Sequence, residues 1–255
     1  MARPALAVGG VVLIAAGVAL GLGWWWPSDE ERTGEVDAVK TVRIDNDSGT
    51  VSVRAADVQR TTVVQKIDYR WGSPSDSYRV NGGELVLADC GWWCSVDYEV
   101  VVPRGTTVTG ENDSGDVSLD GVASVDVSVD SGNLDVRNIA GPVKADASSG
   151  DVTLSGIGGD LEAKANSGAI SGDGLRGRVN AEADSGDISL TLANPQNVRA
   201  HADSGNVEVA VPAGSYRVIG DSDSGERQIG IATAPNAQFE LDLGTDSGDV
   251  LVRTA

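Results

Sequence analysis

The sequence predicts an all-β chain, a parallel β-solenoid of about 18-residue coils preceded by one N-terminal transmembrane helix. Three observations predict it. A cassette, Asp-Ser-Gly or a close variant, recurs to the end of the chain; apolar residues alternate at fixed offsets around each copy; and residues 5–26 carry no charge.

The first element is the uncharged run. It starts at Ala5 and ends in Trp24, Trp25 and Trp26, and as a helix it would span about 33 Å, enough for a bilayer core. A signal peptide is the alternative. The run is longer than a typical signal core, lacks a clear A-x-A site, and ends in tryptophans that suit a water interface, so the reading is an uncleaved anchor. Arg3 before it and "SDEER" after it favour a cytoplasmic amino terminus, with the remainder outside the cell. Residues 1–32 are then anchor and short linker, and 33–255 an extracytoplasmic solenoid domain held at the cell membrane.

Composition narrows what that domain does. Asp and Glu number 38 against 19 Lys and Arg, a formal net charge of -19, which repels nucleic acid. One Phe, one Met and one His stand against 33 Gly, so the core is Val, Leu, Ile and Ala around tight turns.

Next comes the repeat. The cassette glycines are Gly49, Gly115, Gly132, Gly150, Gly168, Gly186, Gly205, Gly225 and Gly248, with steps of 17, 18, 18, 18, 19, 20 and 23 residues from Gly115 on. Two residues after the glycine stand Val117, Leu134, Val152, Ile170, Ile188, Val207 and Val250, with Arg227 the exception; four after it, Leu119, Val136, Leu154, Leu190, Val209 and Val252, with Gly172 out of pattern. Seven before it, every copy has Val or Leu. Five and three before it, the middle coils carry Ala145, Ala163, Ala181, Ala200 and Ala147, Ala165, Ala183, Ala202. Each repeat is thus two short strands and two turns, too little to stand alone, and stacking coil on coil pairs every backbone. Asp-Ser-Gly is the corner: Asp and Ser bond nearby backbone groups and Gly accepts positive φ. Residues 241–252 are expected as the last coil, leaving an edge for self-association.

Between Gly49 and Gly115 the period fails. "TTVVQKIDYRW", "ELVLADC" and "SVDYEVVVP" read as longer strands with turns near Ser73 and Gly82, an irregular aromatic-rich segment at about 55–110. Its aromatics either fill a cap or form an exposed patch, and Trp71, Trp92 and Trp93 are the candidate partner-binding residues. Cys90 and Cys94 fit a disulfide in an oxidising exterior.

Motifs that carry chemistry are scarce in the chain. No nucleophile elbow, zinc-protease helix, Walker loop or dinucleotide fingerprint is present, and His201 alternates outward on a strand. The chain reads as not an enzyme and as needing no cofactor. Calcium is the alternative, with Asp113, Asp116, Asp130, Asp184, Asp187 and Asp203 as metal-ligating candidates in a structural or adhesive module. Asn46 and Asn112 begin glycosylation triplets.

The apolar anchor, "CSVDYEVVVPRGTTV" and the repeated "DSGDVSL" and "DSGDISL" together resemble the bacterial putative-adhesin β-solenoid family, catalogued as a domain of unknown function, over roughly residues 42–252. The resemblance implies an envelope-attached solenoid, with adhesion or envelope-stress roles proposed for some relatives, and supplies no catalytic residues. The expected function is an extracytoplasmic, adhesin-like binding or scaffold protein. Its partners are the membrane, through residues 5–26, and a protein or cell-wall polymer.

Overall fold

The computed structural model describes residues 28–70 and 76–255, which form strands and turns with no helix among them. The expected helix at residues 5–26 lies outside the described residues, and among those described no helix is long and apolar enough to cross a membrane. The strands make two sheets, of 12 and 13 strands, around one continuous, largely aliphatic core that also takes in Tyr98 and Tyr216.

A middle coil shows how the sequence builds this. Val125–Ser131 runs in the 13-stranded sheet, the chain turns at Gly132, and Leu134–Arg137 runs back in the 12-stranded sheet. The next coil stacks on it in parallel and in register: Val125 faces Val143, Val127 faces Ala145, Leu134 faces Val152 and Val136 faces Leu154. All eight are buried. Because side chains alternate along a strand, the aligned apolar columns fix the register, and a slip by one residue would turn each column to solvent.

The glycine column has two causes. Its φ values run from 117° at Gly49 to 159° at Gly225, a region L-residues avoid. In addition, a Cβ on Gly168 would run into the carbonyl of Gly150, and one on Gly186 into that of Gly168. The corners therefore stack backbone on backbone, with the Gly168 N–H donating to the Ser185 carbonyl at 3.0 Å.

Four of the coils have a third buried wall. Seven residues after the glycine come Val122, Ile139, Ile157 and Leu175, all buried although they lie in turns or at a strand end. Those turns are bonded from coil to coil, with Asn138 N–H to the Ser155 carbonyl at 2.8 Å and Gly158 N–H to the Ile139 carbonyl at 2.7 Å. The out-of-pattern Gly172 is explained here too. The strand bulges between Gly172 and Leu175, and the Leu175 side chain occupies the space a side chain at Gly172 would need.

Spatial order departs from chain order at both ends. Near the amino end, Glu84–Ala88 and Cys94–Pro103 stack outside Thr41–Asn46 and Val51–Ala56, and the chain then crosses to the other side of that first coil at Thr107–Ser114. Arg60–Tyr69 and then Ser28–Asp37 extend the outer rim as antiparallel strands, so the stretch read as a linker up to residue 32 is partly strand. At the far end, Phe239–Ser247 and Val250–Thr254 insert between the coil of Val198–Ser204 and Val207–Val211 and the strands Ser215–Ile219 and Arg227–Ile229. Residues 241–252 are therefore not the last coil in space, and the edge expected there is paired on both sides. Arg227 stands where other coils carry a buried aliphatic because its three-residue strand is the outermost of the 12-stranded sheet; it is exposed and donates to the Ile219 carbonyl at 2.9 Å.

Candidate functional site

Two features compete to be the site, the acidic corner edge and the cysteine loop at the amino-proximal rim. The acidic edge is the more repetitive. Asp116, Asp151 and Asp187 follow their cassette glycines, and each reaches one coil onward. Asp116 Oδ1 accepts the Asn133 N–H at 2.8 Å, Asp151 Oδ1 the Ala169 N–H at 2.8 Å, and Asp187 Oδ1 the Asn206 N–H at 2.7 Å. Asn133 and Asn206 do the same, their amide oxygens accepting the Asp151 and Asp249 N–H groups at 3.0 and 2.9 Å. The Asp/Asn column is thus a capping ladder for backbone donors at the corner.

The neighbouring column, Asp113, Asp130, Asp184 and Asp203, is exposed. Its pairing is sparse, with Ser148 donating to Asp130 at 3.3 Å. In the first coil the equivalent Asp47 has its carboxyl held above the usual range, first by partial burial and then by the charges of Asp89, Asp113 and Asp45. The six candidate calcium ligands fall on these two columns. Among the described residues no group of three or more His, Cys, Asp or Glu side chains is arranged to hold a metal ion. Asp116 and Asp187 already spend an oxygen on a backbone donor, so the donor set fits a corner better than a cation cage.

His201 points outward, as alternation requires, with Nε2 3.7 Å from carboxylate oxygens of both Asp203 and Asp246. Asn46 and Asn112 are buried, at 2% and 0% exposure, which removes them as glycosylation acceptors. Instead the Asn46 amide donates to the Asn112 oxygen at 2.9 Å, and Asn112 donates to the Gly115 carbonyl at 2.9 Å. The Ala column of the middle coils is here an internal amide ladder.

The cysteine loop is a different construction. Cys90 and Cys94 form a disulfide with Cα atoms 5.7 Å apart, and both cysteines pack against the core. Asp89 Oδ1 accepts the Gly91 N–H at 2.7 Å, Gly91 has φ 96°, and Trp93 has φ 65°. Holding a non-glycine residue there costs about 1 kcal/mol, and the Trp93 carbonyl is fixed by the Arg70 N–H at 3.2 Å. The outcome is a clamped tip that presents its indoles to solvent: Trp92 is 94% exposed and Trp93 66%. Trp71, the third candidate, lies outside the described residues.

Tyr98 supports that tip from below. It is buried, with its hydroxyl 2.8 Å from the Ser77 carbonyl and 2.7 Å from the Ala88 carbonyl, donating to one at a time. Burial pushes its phenol up to about 12, against the opposing effect of its hydrogen bonds. The aromatic segment is therefore divided: Tyr98 is core, Tyr69 and Tyr78 pack at its margin, and Trp92 and Trp93 are surface.

The same architecture occurs in known proteins. A putative adhesin from Bacteroides fragilis NCTC 9343 has a crystal structure similar to this chain with TM-score 0.55 and 13% identity, covering 89% of this chain and 97% of that one. A putative adhesin from Parabacteroides distasonis ATCC 8503 gives TM-score 0.55 and 12% identity, covering 88% and 96%. At such identities the likeness is one of fold. No curated protein matches the chain. The model of one family, Toastrack DUF4097, matches residues 37–253, and the chain belongs to that family.

Proposed function

We propose that the chain is a non-enzymatic, membrane-anchored, extracytoplasmic binding or scaffold protein of the cell envelope, adhesin-like in acting through its long outer faces. The observation that carries this reading is the outside of the 13-stranded sheet. Coil after coil it presents charges already answered by neighbours: Lys144 lies 3.6 Å from Asp126 and 3.4 Å from Asp146, and Lys164 3.8 Å from Glu162 and 3.4 Å from Glu182. Both lysines are held above their usual range, Lys144 first by the charge of Asp146 and Lys164 first by its hydrogen bond to Glu182.

Beside the row of Asp126, Lys144 and Glu162 runs an open groove of about 420 Å³, whose lining also includes Asp160 and Arg178. A face of this kind suits an extended polymer or protein held by many weak contacts. The solved relatives described as adhesins support the same reading. Residues 5–26 supply the tether.

The test uses cells that produce the chain with an epitope after Ala255. The epitope should be cleaved by protease added to intact cells, and the cells should adhere to envelope-polymer surfaces more than cells producing the anchor alone. A protected epitope would contradict the orientation, and unchanged adhesion would contradict the binding role.

A further inference from the structure

The Trp tip sits where the chain enters the sheet. Ser28 is in register with Tyr69, and Tyr69 with Cys94, so the three residues form one row across the strand ends. Two inter-strand spacings, about 10 Å, separate Ser28 from Cys94. On that margin lie Ser28, Arg70 and the Trp92–Trp93 tip.

In sequence, every tryptophan of the protein lies at or close to one of these three points. Trp24, Trp25 and Trp26 end the uncharged run two to four residues before Ser28, Trp71 follows Arg70, and Trp92 and Trp93 are the tip; these are all six. A chain of 255 residues whose tryptophans all stand, in sequence, at the end of an apolar run of membrane length or beside residues of that row has the composition of an interfacial aromatic belt.

We propose that the 89–94 tip docks into the interfacial layer of the bilayer that residues 5–26 enter, with Trp92 and Trp93 as the immersed side chains, so that the solenoid is held at two points. The proposal rests on the reading of residues 5–26 as a membrane anchor. The tip is preorganised for docking, since the disulfide and the Arg70 N–H bond fix it and both indoles project from it. A tip fixed in advance loses little freedom when it docks. Its surroundings choose the lipid. Tyr98 is in register with Val51, so Cys94 lies four residues back, level with Asp47 in the first acidic corner, and Asp89 acts on Asp47 there. An anionic surface would repel that edge, whereas a zwitterionic interface accepts indole without a charge penalty.

The test uses the full chain in phosphatidylcholine vesicles, carrying W24F, W25F, W26F and W71F so that only Trp92 and Trp93 emit. Flotation after a carbonate wash reports the anchor, and quenching by lipid brominated near the headgroup reports the tip. The expected result is a chain that floats and whose emission is blue-shifted and largely lost to the quencher. The complementary variant, W92S/W93S in the otherwise unaltered chain, should lose the quenched component those two residues contribute while keeping its unfolding midpoint. A chain that floats with unquenched emission overturns the docking and leaves the anchor standing; one that does not float overturns both. Emission unquenched by lipid that shifts when purified wall polymer is added overturns the lipid assignment in favour of a carbohydrate.

Discussion

A single methyl group tests the corner. Gly168→Ala must place a Cβ at φ 150° against the Gly150 carbonyl, so we expect a loss above about 2 kcal/mol in chemical unfolding. Asp151→Asn keeps an oxygen for the Ala169 N–H and should be near neutral; equal losses would contradict the capping assignment. Tyr98 supplies a second residue-scale test. Its folded phenol titrates at about 12 while the unfolded one titrates near its ordinary 10, so the folded state keeps the proton the unfolded state gives up. Stability is full below pH 10 and falls by up to about 3 kcal/mol between pH 10 and 12. Tyr98→Phe should start lower and lose the part of that slope Tyr98 supplies, read from unfolding midpoints across that window. Glycine and the apolar columns were legible in the sequence because their causes are local and repeat. Asn46 and Asn112 were not: as triplets they look like surface acceptors, and only their place on the inner face makes them a buried ladder.

At the scale of the element, alternation identified the strands and aligned them in columns, and the pairing follows those columns. It could not give their order in space, because a column says which residues share a level and not which coil lies next. The steps of 20 and 23 residues to Gly225 and Gly248 and the odd Arg227 were the only trace of the interleaved end. The buried wall of Val122, Ile139 and Ile157 also escaped, since turn residues carry no period-2 signal. The interleaving makes a prediction for hydrogen exchange. Amides of residues 241–252, paired on both sides, should be protected like those of the middle coils, while 215–233 exchange first. Fast exchange at 241–252 with protection at 215–233 would restore chain order.

The whole molecule is a stack in which each coil leans on its neighbours, so stability is built from nearest-neighbour interfaces. Twelve strands stacked at about 4.8 Å make each sheet about 50 Å long. The sequence conveyed this architecture well and the site poorly, because repetition reports structure whereas the Trp tip is written once, inside the segment where the period fails. Its exposure depends on a disulfide loop and a supporting Tyr98 that no spacing rule reveals. The repeated Asp-Ser-Gly cassette is a self-sufficient backbone corner, and the binding proposed above falls to the outer faces and the tip. Thermal unfolding of the full chain, with calcium titrated against a chelated control and a magnesium control, tests it most directly. The account predicts one midpoint throughout; a saturable rise with calcium alone, of the size a ligand at about 100 times its dissociation constant gives, about 2.7 kcal/mol, would turn the Asp columns into metal sites and contradict it.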